Sequence, residues 1–132
     1  MTGRRWAVLV AAGLSFAAAP LGAHHSLTSE FDLAQPVTLT GRVTRIEWVN
    51  PHAYLYIDVA AAHGGATNWG LQMGSPNGLV RRGWTRHSVS VGDLVSAEGS
   101  RAKDGSHVAN IRSVVLPSGR RLFTGPADGK TS

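Results

Sequence analysis

The sequence predicts an all-β domain, consisting mainly of strands with one short helix, closed into a small five-stranded barrel. Apolar residues alternate with polar ones over short runs, which is the period of half-buried strands. Turns containing glycine or proline separate these runs. A helix start is predicted at Ser75-Pro76, because a serine hydroxyl caps the first turn and proline fits the first helical position.

The first strand is predicted to begin at Pro36 and to bend partway along. Four alternating positions on one face are apolar or glycine: Val37, Leu39, Gly41 and Val43. The apolar phase then slips by one residue, to Ile46 and Trp48. A glycine combined with a phase slip predicts a bulge, which lets the strand of a small barrel turn a corner.

The remaining elements follow in order along the chain. Their predicted bounds are 53–59 and 67–73 for a hairpin, 76–84 for the helix, 94–99 and 108–116 for the last two barrel strands, and 120–123 for a short strand. In the helix, Leu79 and Val80 are placed to close one end of the barrel. The order β1-β2-β3-α-β4-β5 is typical of the oligonucleotide/oligosaccharide-binding (OB) barrel. A small open antiparallel sandwich has the same strand spacing and remains an alternative.

The chain is predicted to contain a leader, an arm, one domain and a tail. Arg4-Arg5, an apolar run and small residues ending at Ala23 have the layout of a secretory signal peptide. An uncleaved N-terminal anchor is the alternative. The predicted bounds are 1–23 for the signal peptide, 24–35 for the arm, 36–124 for the OB-like domain and 125–132 for a loose tail. We therefore expect a periplasmic or secreted protein with no stable membrane span after leader removal.

Composition argues against nucleic acid as a partner. The 13 Lys and Arg residues stand against 8 Asp and Glu, and two of the arginines lie in the leader. The basic clusters at Arg81-Arg82 and Arg120-Arg121 are typical of a solvated face. The sequence shows no short carboxylate pair, phosphate loop or nucleophile elbow, so a non-enzymatic protein is expected. Self-association is not predicted in either direction.

Histidines near the predicted cleavage site suggest a metal site. The sequence contains no cysteine, so ligands would be histidine, methionine or carboxylate. Cleavage after Ala23 would leave His24 with a free amine and an imidazole that can chelate one ion, most plausibly copper(II), with His25 or His52 assisting. Cleavage one residue earlier would also leave a chelating terminus. The alternative is that these histidines are only polar residues beside a cleavage site.

Aromatic residues offer a second kind of site. Tyr54 and Tyr56 share the exposed face of the second strand, with Trp69 on the third strand and His107 at the end of the loop between strands four and five. Aromatic faces of such barrels can stack ligands, so this face would take a peptide, a glycan or another envelope partner. Buried packing is the plainer interpretation of Trp69.

Several blocks of sequence resemble a family of small exported bacterial proteins of unknown function. The blocks are His24-His25-Ser26, Glu47-Trp48-Val49-Asn50-Pro51-His52, Asn68-Trp69, Met73-Gly74-Ser75-Pro76-Asn77-Gly78 and Arg82-Gly83-Trp84. The resemblance covers nearly all of the predicted mature chain. It implies export and a compact barrel-like domain, and it implies no activity or metal.

Overall fold

The computed structural model describes residues 26–125, which form a mainly β structure with two short helices. The predicted leader, His24, His25 and nearly all of the predicted tail lie outside these residues. The elements are α1 (Ser26–Glu30), β1 (Phe31–Glu47), β2 (Tyr54–Ala60), β3 (Ala66–Gln72), α2 (Pro76–Arg81), β4 (Leu94–Ala102), β5 (Val108–Val115) and β6 (Arg121–Phe123). The predicted all-β class, with a short helix between the third and fourth strands, is confirmed.

The five long strands pair in a closed ring. β1 lies antiparallel between β2 and β4, β3 pairs with β2, and β5 pairs with β4. A short parallel pairing between β3 and β5, from Gly70–Val108 to Gln72–Asn110, joins the two ends of this series. β6 adds to the end of β5. The strand order agrees with the predicted one, and closure leaves an inner apolar face and an outer face.

The predicted irregularity in β1 is present. Val43 pairs with Ile57 and Arg45 pairs with Tyr56, so one extra residue is accommodated between them. Nearby, a Cβ added at Gly41 would lie 2.3 Å from the carbonyl oxygen of Asp58. Only glycine permits this close approach of two strands, which explains why the bend falls here.

β1 begins five residues earlier than predicted, within the segment expected to be an irregular arm. Phe31 is only 4% exposed and pairs with Ala102, whereas the regular register resumes at Pro36 opposite Ser100. The residues between are bulged outward, so they show no alternation that sequence analysis can detect. The early part of β1 is nevertheless part of the sheet.

The segment around α1 is fastened to the loop between β4 and β5. The backbone N–H of Lys103 donates to the carbonyl oxygen of Glu30 at 2.9 Å, and its Nζ donates to that of Thr28 at 2.5 Å. With the Phe31–Ala102 pairing, these bonds hold α1 beside the outer face of the ring.

The predicted cap of α2 is confirmed, because the Ser75 side chain accepts a hydrogen bond from the N–H of Gly78. Leu79 is fully buried in the core, as predicted, but Val80 is 56% exposed. Successive helical residues point about 100° apart, so both cannot face the same core. Trp84 is buried instead, and its indole N–H donates to the carbonyl oxygen of Phe123.

Candidate ligand-binding cleft

A cleft of about 590 Å³ opens on the outer face of the ring. It lies between the α1 segment, the adjacent ends of β2 and β3, and the loop that follows β4. Its walls are formed by Ser29, Glu30, Phe31, Tyr54, Gln72, Ala102, Lys103, Asp104, Ser106 and Val108. The hydrogen bonds of Lys103 to the α1 segment therefore hold two of the cleft walls together.

Gln72 contributes a buried amide to this cleft. It lies on the outer face of β3, between Tyr54 of β2 and Asn110 of β5 in the strand register. The residue is 6% exposed, and within residues 26–125 its Oε1 atom is buried and accepts no hydrogen bond. An unsatisfied buried acceptor costs about 1–3 kcal/mol. A ligand that donates a hydrogen bond here would remove that cost.

Tyr54 forms an aromatic wall of the cleft. Its ring stacks on that of Tyr56, with the centroids 6.0 Å apart and the planes 21° apart. Burial raises the pKa of the Tyr54 phenol, and the nearby Tyr56, Glu30 and Glu47 raise it further. The phenol therefore stays protonated at neutral pH and can serve as a hydrogen-bond donor.

Tyr56 is held by contacts within the protein and does not line the cleft. The Arg45 guanidinium lies 3.9 Å from the centroid of its ring. The Tyr56 hydroxyl donates to Glu47, which also forms an ion pair with Arg45 at 2.7 Å. On the other side, the ring is in contact distance of any Cβ added at Gly70. Tyr56 therefore supports Tyr54, and only Tyr54 reaches the cleft.

Charged side chains occur on two walls of the cleft. Glu30 and Asp104 provide carboxylates, and Lys103 provides an ammonium group that is bonded to the carbonyl oxygen of Thr28. Hydrogen bonds from the Ser106 side chain and backbone lower the pKa of Asp104. The formal charges of the lining side chains thus include two negative and one positive.

Trp69 does not share a face with the two tyrosines. It pairs with Ile57 and points into the core, where it is 7% exposed. Strand alternation places it opposite Tyr54 and Tyr56, as the plainer interpretation expected. His107 lies beside it, with ring centroids 5.1 Å apart, and the Arg101 guanidinium lies 5.3 Å from the indole centroid. The structure therefore divides the predicted aromatic site into two places.

Of the three predicted metal ligands, only His52 lies within residues 26–125. His52 is exposed, and its Nδ1 lies 3.2 Å from the carbonyl oxygen of Met73, beyond the end of β3. His107 lies elsewhere, beside the middle of β3, where its backbone carbonyl oxygen accepts a hydrogen bond from the N–H of Gly70. His24 and His25 precede the described residues. From residue 26 to 125, no three or more His, Cys, Asp or Glu side chains are grouped to hold a metal ion.

Sequence reasoning missed Glu30, Gln72 and Lys103. Gln72 occupies an outward position of an alternating strand, where a polar residue looks ordinary. Its burial becomes visible only once β5 lies beside β3 and the α1 segment lies nearby. The available signal was the aromatic Phe31 directly after Glu30, since a large apolar side chain in a short arm indicates a docked segment.

The fold and the cleft define a small β protein with a candidate binding site on its outer face. The chain belongs to a family of unknown function, DUF6152, whose model matches residues 11–110. The predicted membership of an uncharacterised family is thereby confirmed. No curated protein sequence matches the chain significantly. In the described part of the chain, no helix has the length and apolar character needed to cross a membrane.

Proposed function

We propose that this chain is an exported, non-catalytic binding protein whose outer cleft takes a small polar ligand. The observation that carries the proposal is the Oε1 atom of Gln72, which is buried at the cleft and accepts no hydrogen bond within residues 26–125. Native proteins pair most buried polar groups, so an exception in a cleft is a candidate ligand contact. Tyr54 supplies an adjoining aromatic surface.

The chemistry of these two side chains favours binding over catalysis. An amide does not ionise near neutral pH, and the raised pKa of Tyr54 keeps its phenol protonated. Neither group is therefore prepared to remove a proton from a substrate. Both are suited to fixed hydrogen bonding.

A fragment screen monitored by NMR tests the proposal. The mature protein, labelled with ¹⁵N, is mixed with a library of small polar fragments. Binding is expected to shift the resonances of Tyr54, Gln72 and Lys103, and Gln72→Leu is expected to abolish these shifts. Gln35→Leu is the matched control, because the same change falls on an exposed residue outside the cleft.

The proposal fails in two cases. Either fragments shift resonances elsewhere and leave the cleft unchanged, or Gln72→Leu binds the same fragments with unchanged affinity. A folded spectrum of Gln72→Leu makes both results interpretable.

The copper(II) chelate at the mature N-terminus is a second candidate function. It is supported by the hydrogen bonds of Lys103 to Thr28 and Glu30, which hold the chain shortly after His24 and His25 beside the cleft. A terminal amine and an imidazole suit copper(II) in tetragonal geometry.

Copper(II) titration of the protein with its authentic N-terminus tests this second candidate. His24→Ala is expected to weaken binding strongly, and His52→Ala to weaken it to a lesser degree. His87→Ala is the control, because it removes an exposed imidazole from the segment between α2 and β4, outside the proposed ligand set. Equal affinity of His24→Ala and the unaltered protein would end the proposal.

A further inference from the structure

We propose that the ligand of the cleft carries a primary ammonium group, which would lie between Gln72 Oε1, the Tyr54 ring and the Glu30 carboxylate. This inference rests on the proposed function, because it names the chemistry of the ligand for the same cleft. The Gln72 acceptor requires a hydrogen-bond donor, and the Tyr54 ring and the Glu30 carboxylate favour a donor that is positively charged.

The acceptor of Gln72 sets the first requirement. Its Oε1 atom is buried, and within the described residues nothing donates to it. A ligand must therefore present an N–H or O–H group to this atom. An ionised carboxylate only accepts hydrogen bonds, so it could not satisfy this atom and is disfavoured.

The carboxylate of Glu30 selects a cation among the donors. Glu30 lines the cleft and lies close enough to Tyr54 for its charge to act on the phenol. A hydrogen bond between charged groups is about twice as strong as a neutral one. Glu30 therefore favours an ammonium group over a hydroxyl group.

The aromatic wall favours the same choice. The face of a tyrosine ring is negative and attracts cations within about 6 Å of its centroid. The same attraction is present at Tyr56, two residues further along β2, where the Arg45 guanidinium lies 3.9 Å from the ring centroid. Tyr54 lines the cleft, so its ring would attract a ligand cation bound there.

Among residues 26–125, Lys103 is the one cationic side chain that lines the cleft. Its Nζ atom donates to the carbonyl oxygen of Thr28, which fastens it to the α1 segment. With Glu30 and Asp104 also lining the cleft, the negative formal charges outnumber the positive one. The cleft therefore retains a net attraction for a small cation.

Three probes of equal chain length distinguish the possible ligands. Butane-1,4-diamine, butane-1,4-diol and butanedioate are titrated separately into the ¹⁵N-labelled mature protein. The diamine is expected to shift the resonances of Tyr54 and the side-chain amide of Gln72, and the diol and dicarboxylate are expected to bind at least tenfold more weakly. Nα-acetyl-lysine amide is a further probe, which distinguishes a lysine side chain from a free amine as the source of the ammonium group.

Two variants separate the contributions. Glu30→Gln keeps the shape of the side chain and removes its charge, so diamine affinity is expected to fall about tenfold. Asp58→Asn is the matched control, because it removes the same charge from β2 outside the cleft. Diamine affinity in this control is expected to change by less than twofold.

The possible failures point to different conclusions. If the diol or the dicarboxylate binds at the cleft as tightly as the diamine, the ammonium assignment is overturned and the cleft remains a ligand site. If Glu30→Gln and Asp58→Asn weaken the diamine equally, the assignment is also overturned, because the effect is then one of net charge. If Gln72→Leu binds the diamine normally, both this inference and the proposed function fail.

Discussion

At the scale of single residues, Gln72 stands out as a buried polar side chain whose acceptor has no partner within residues 26–125. Its side chain is large, polar and almost fully buried, and the side-chain oxygen Oε1 accepts no hydrogen bond within residues 26–125. Leucine has a similar volume and needs no hydrogen bond. Folding alone would therefore favour leucine at this position, whereas the proposed ligand binding would favour glutamine.

Gln72→Leu is expected to increase the free energy of unfolding by about 1 kcal/mol, because it removes a buried acceptor that has no partner. Urea denaturation followed by tryptophan fluorescence measures the change. The matched control Gln35→Leu alters an exposed side chain and is expected to change stability by less than about 0.5 kcal/mol. A loss of stability in Gln72→Leu would contradict this prediction.

At the scale of elements, β4 carries a bulge and an ion-pair cluster at the same place. Its register with β5 shifts between Glu98 and Gly99. The Glu98 carboxylate meets Arg121 of β6 at 2.9 Å and Arg112 of β5 at 3.6 Å. One side chain therefore connects three neighbouring strands at the place where the backbone is irregular.

Gly99→Ala is expected to destabilise the protein by about 3 kcal/mol or more, because its Cβ would lie 2.0 Å from the carbonyl oxygen of Asn110. The contact is with backbone, so neither strand can yield without losing pairing. At Gly125, an added Cβ meets no heavy atom within 4 Å among the described residues. Gly125→Ala is therefore the control, and the melting temperatures of the two variants are compared by thermal unfolding. Equal melting temperatures would contradict the observed strand approach.

The Glu98 cluster predicts a loss of stability in acid. Hydrogen bonding by Arg121, followed by the charges of Arg121 and Arg112, lowers the pKa of Glu98. A carboxyl whose pKa is lower in the folded state stabilises the protein above its unfolded pKa, and this contribution disappears as the pH falls through the folded pKa.

Glu98→Gln is accordingly expected to reduce the dependence of stability on pH below about 4.5, the ordinary glutamate range. Urea denaturation at a series of acidic pH values measures this. Some dependence will remain, because the pKa of Asp104 is lowered as well. A pH profile identical to that of the unaltered protein would show that the cluster makes no contribution.

At the scale of the whole molecule, local sequence patterns predicted the strand order but not the cleft. Alternation located the long strands, and Gly41 with its phase slip located the bulge in β1, because these signals depend on neighbouring residues. The docking of Phe31 and the burial of Gln72 depend on segments far apart in the chain. Such contacts have no local period, so no pattern within one strand could reveal them.

Trp69 illustrates the same limit within the site. Its position on β3 was known from the sequence, but its face depended on the pairing with Ile57. A shift of one residue in this register would have placed it beside Tyr54 and Tyr56. The sequence could therefore predict that aromatic residues line a face of the sheet. Which residues share that face depends on the register between β2 and β3.

The predicted signal peptide fixes where the mature chain should begin. Small residues precede the proposed cleavage site, so intact-mass spectrometry of protein from the bacterial envelope is expected to show a chain that begins at His24 or Ala23. Cytoplasmic protein from an export-blocked strain serves as the uncleaved reference. A chain in the envelope that retains residues 1–23 would contradict the prediction of a cleaved leader.

The most direct test of ligand binding through Gln72 is the ligand-induced change in melting temperature, measured in parallel for the unaltered protein and Gln72→Leu with butane-1,4-diamine. Binding to the folded state alone raises the melting temperature. A site centred on the Gln72 amide predicts that the variant melts higher than the unaltered protein without ligand and gains no further stabilisation when the diamine is added. An equal ligand-induced increase in both proteins would contradict it.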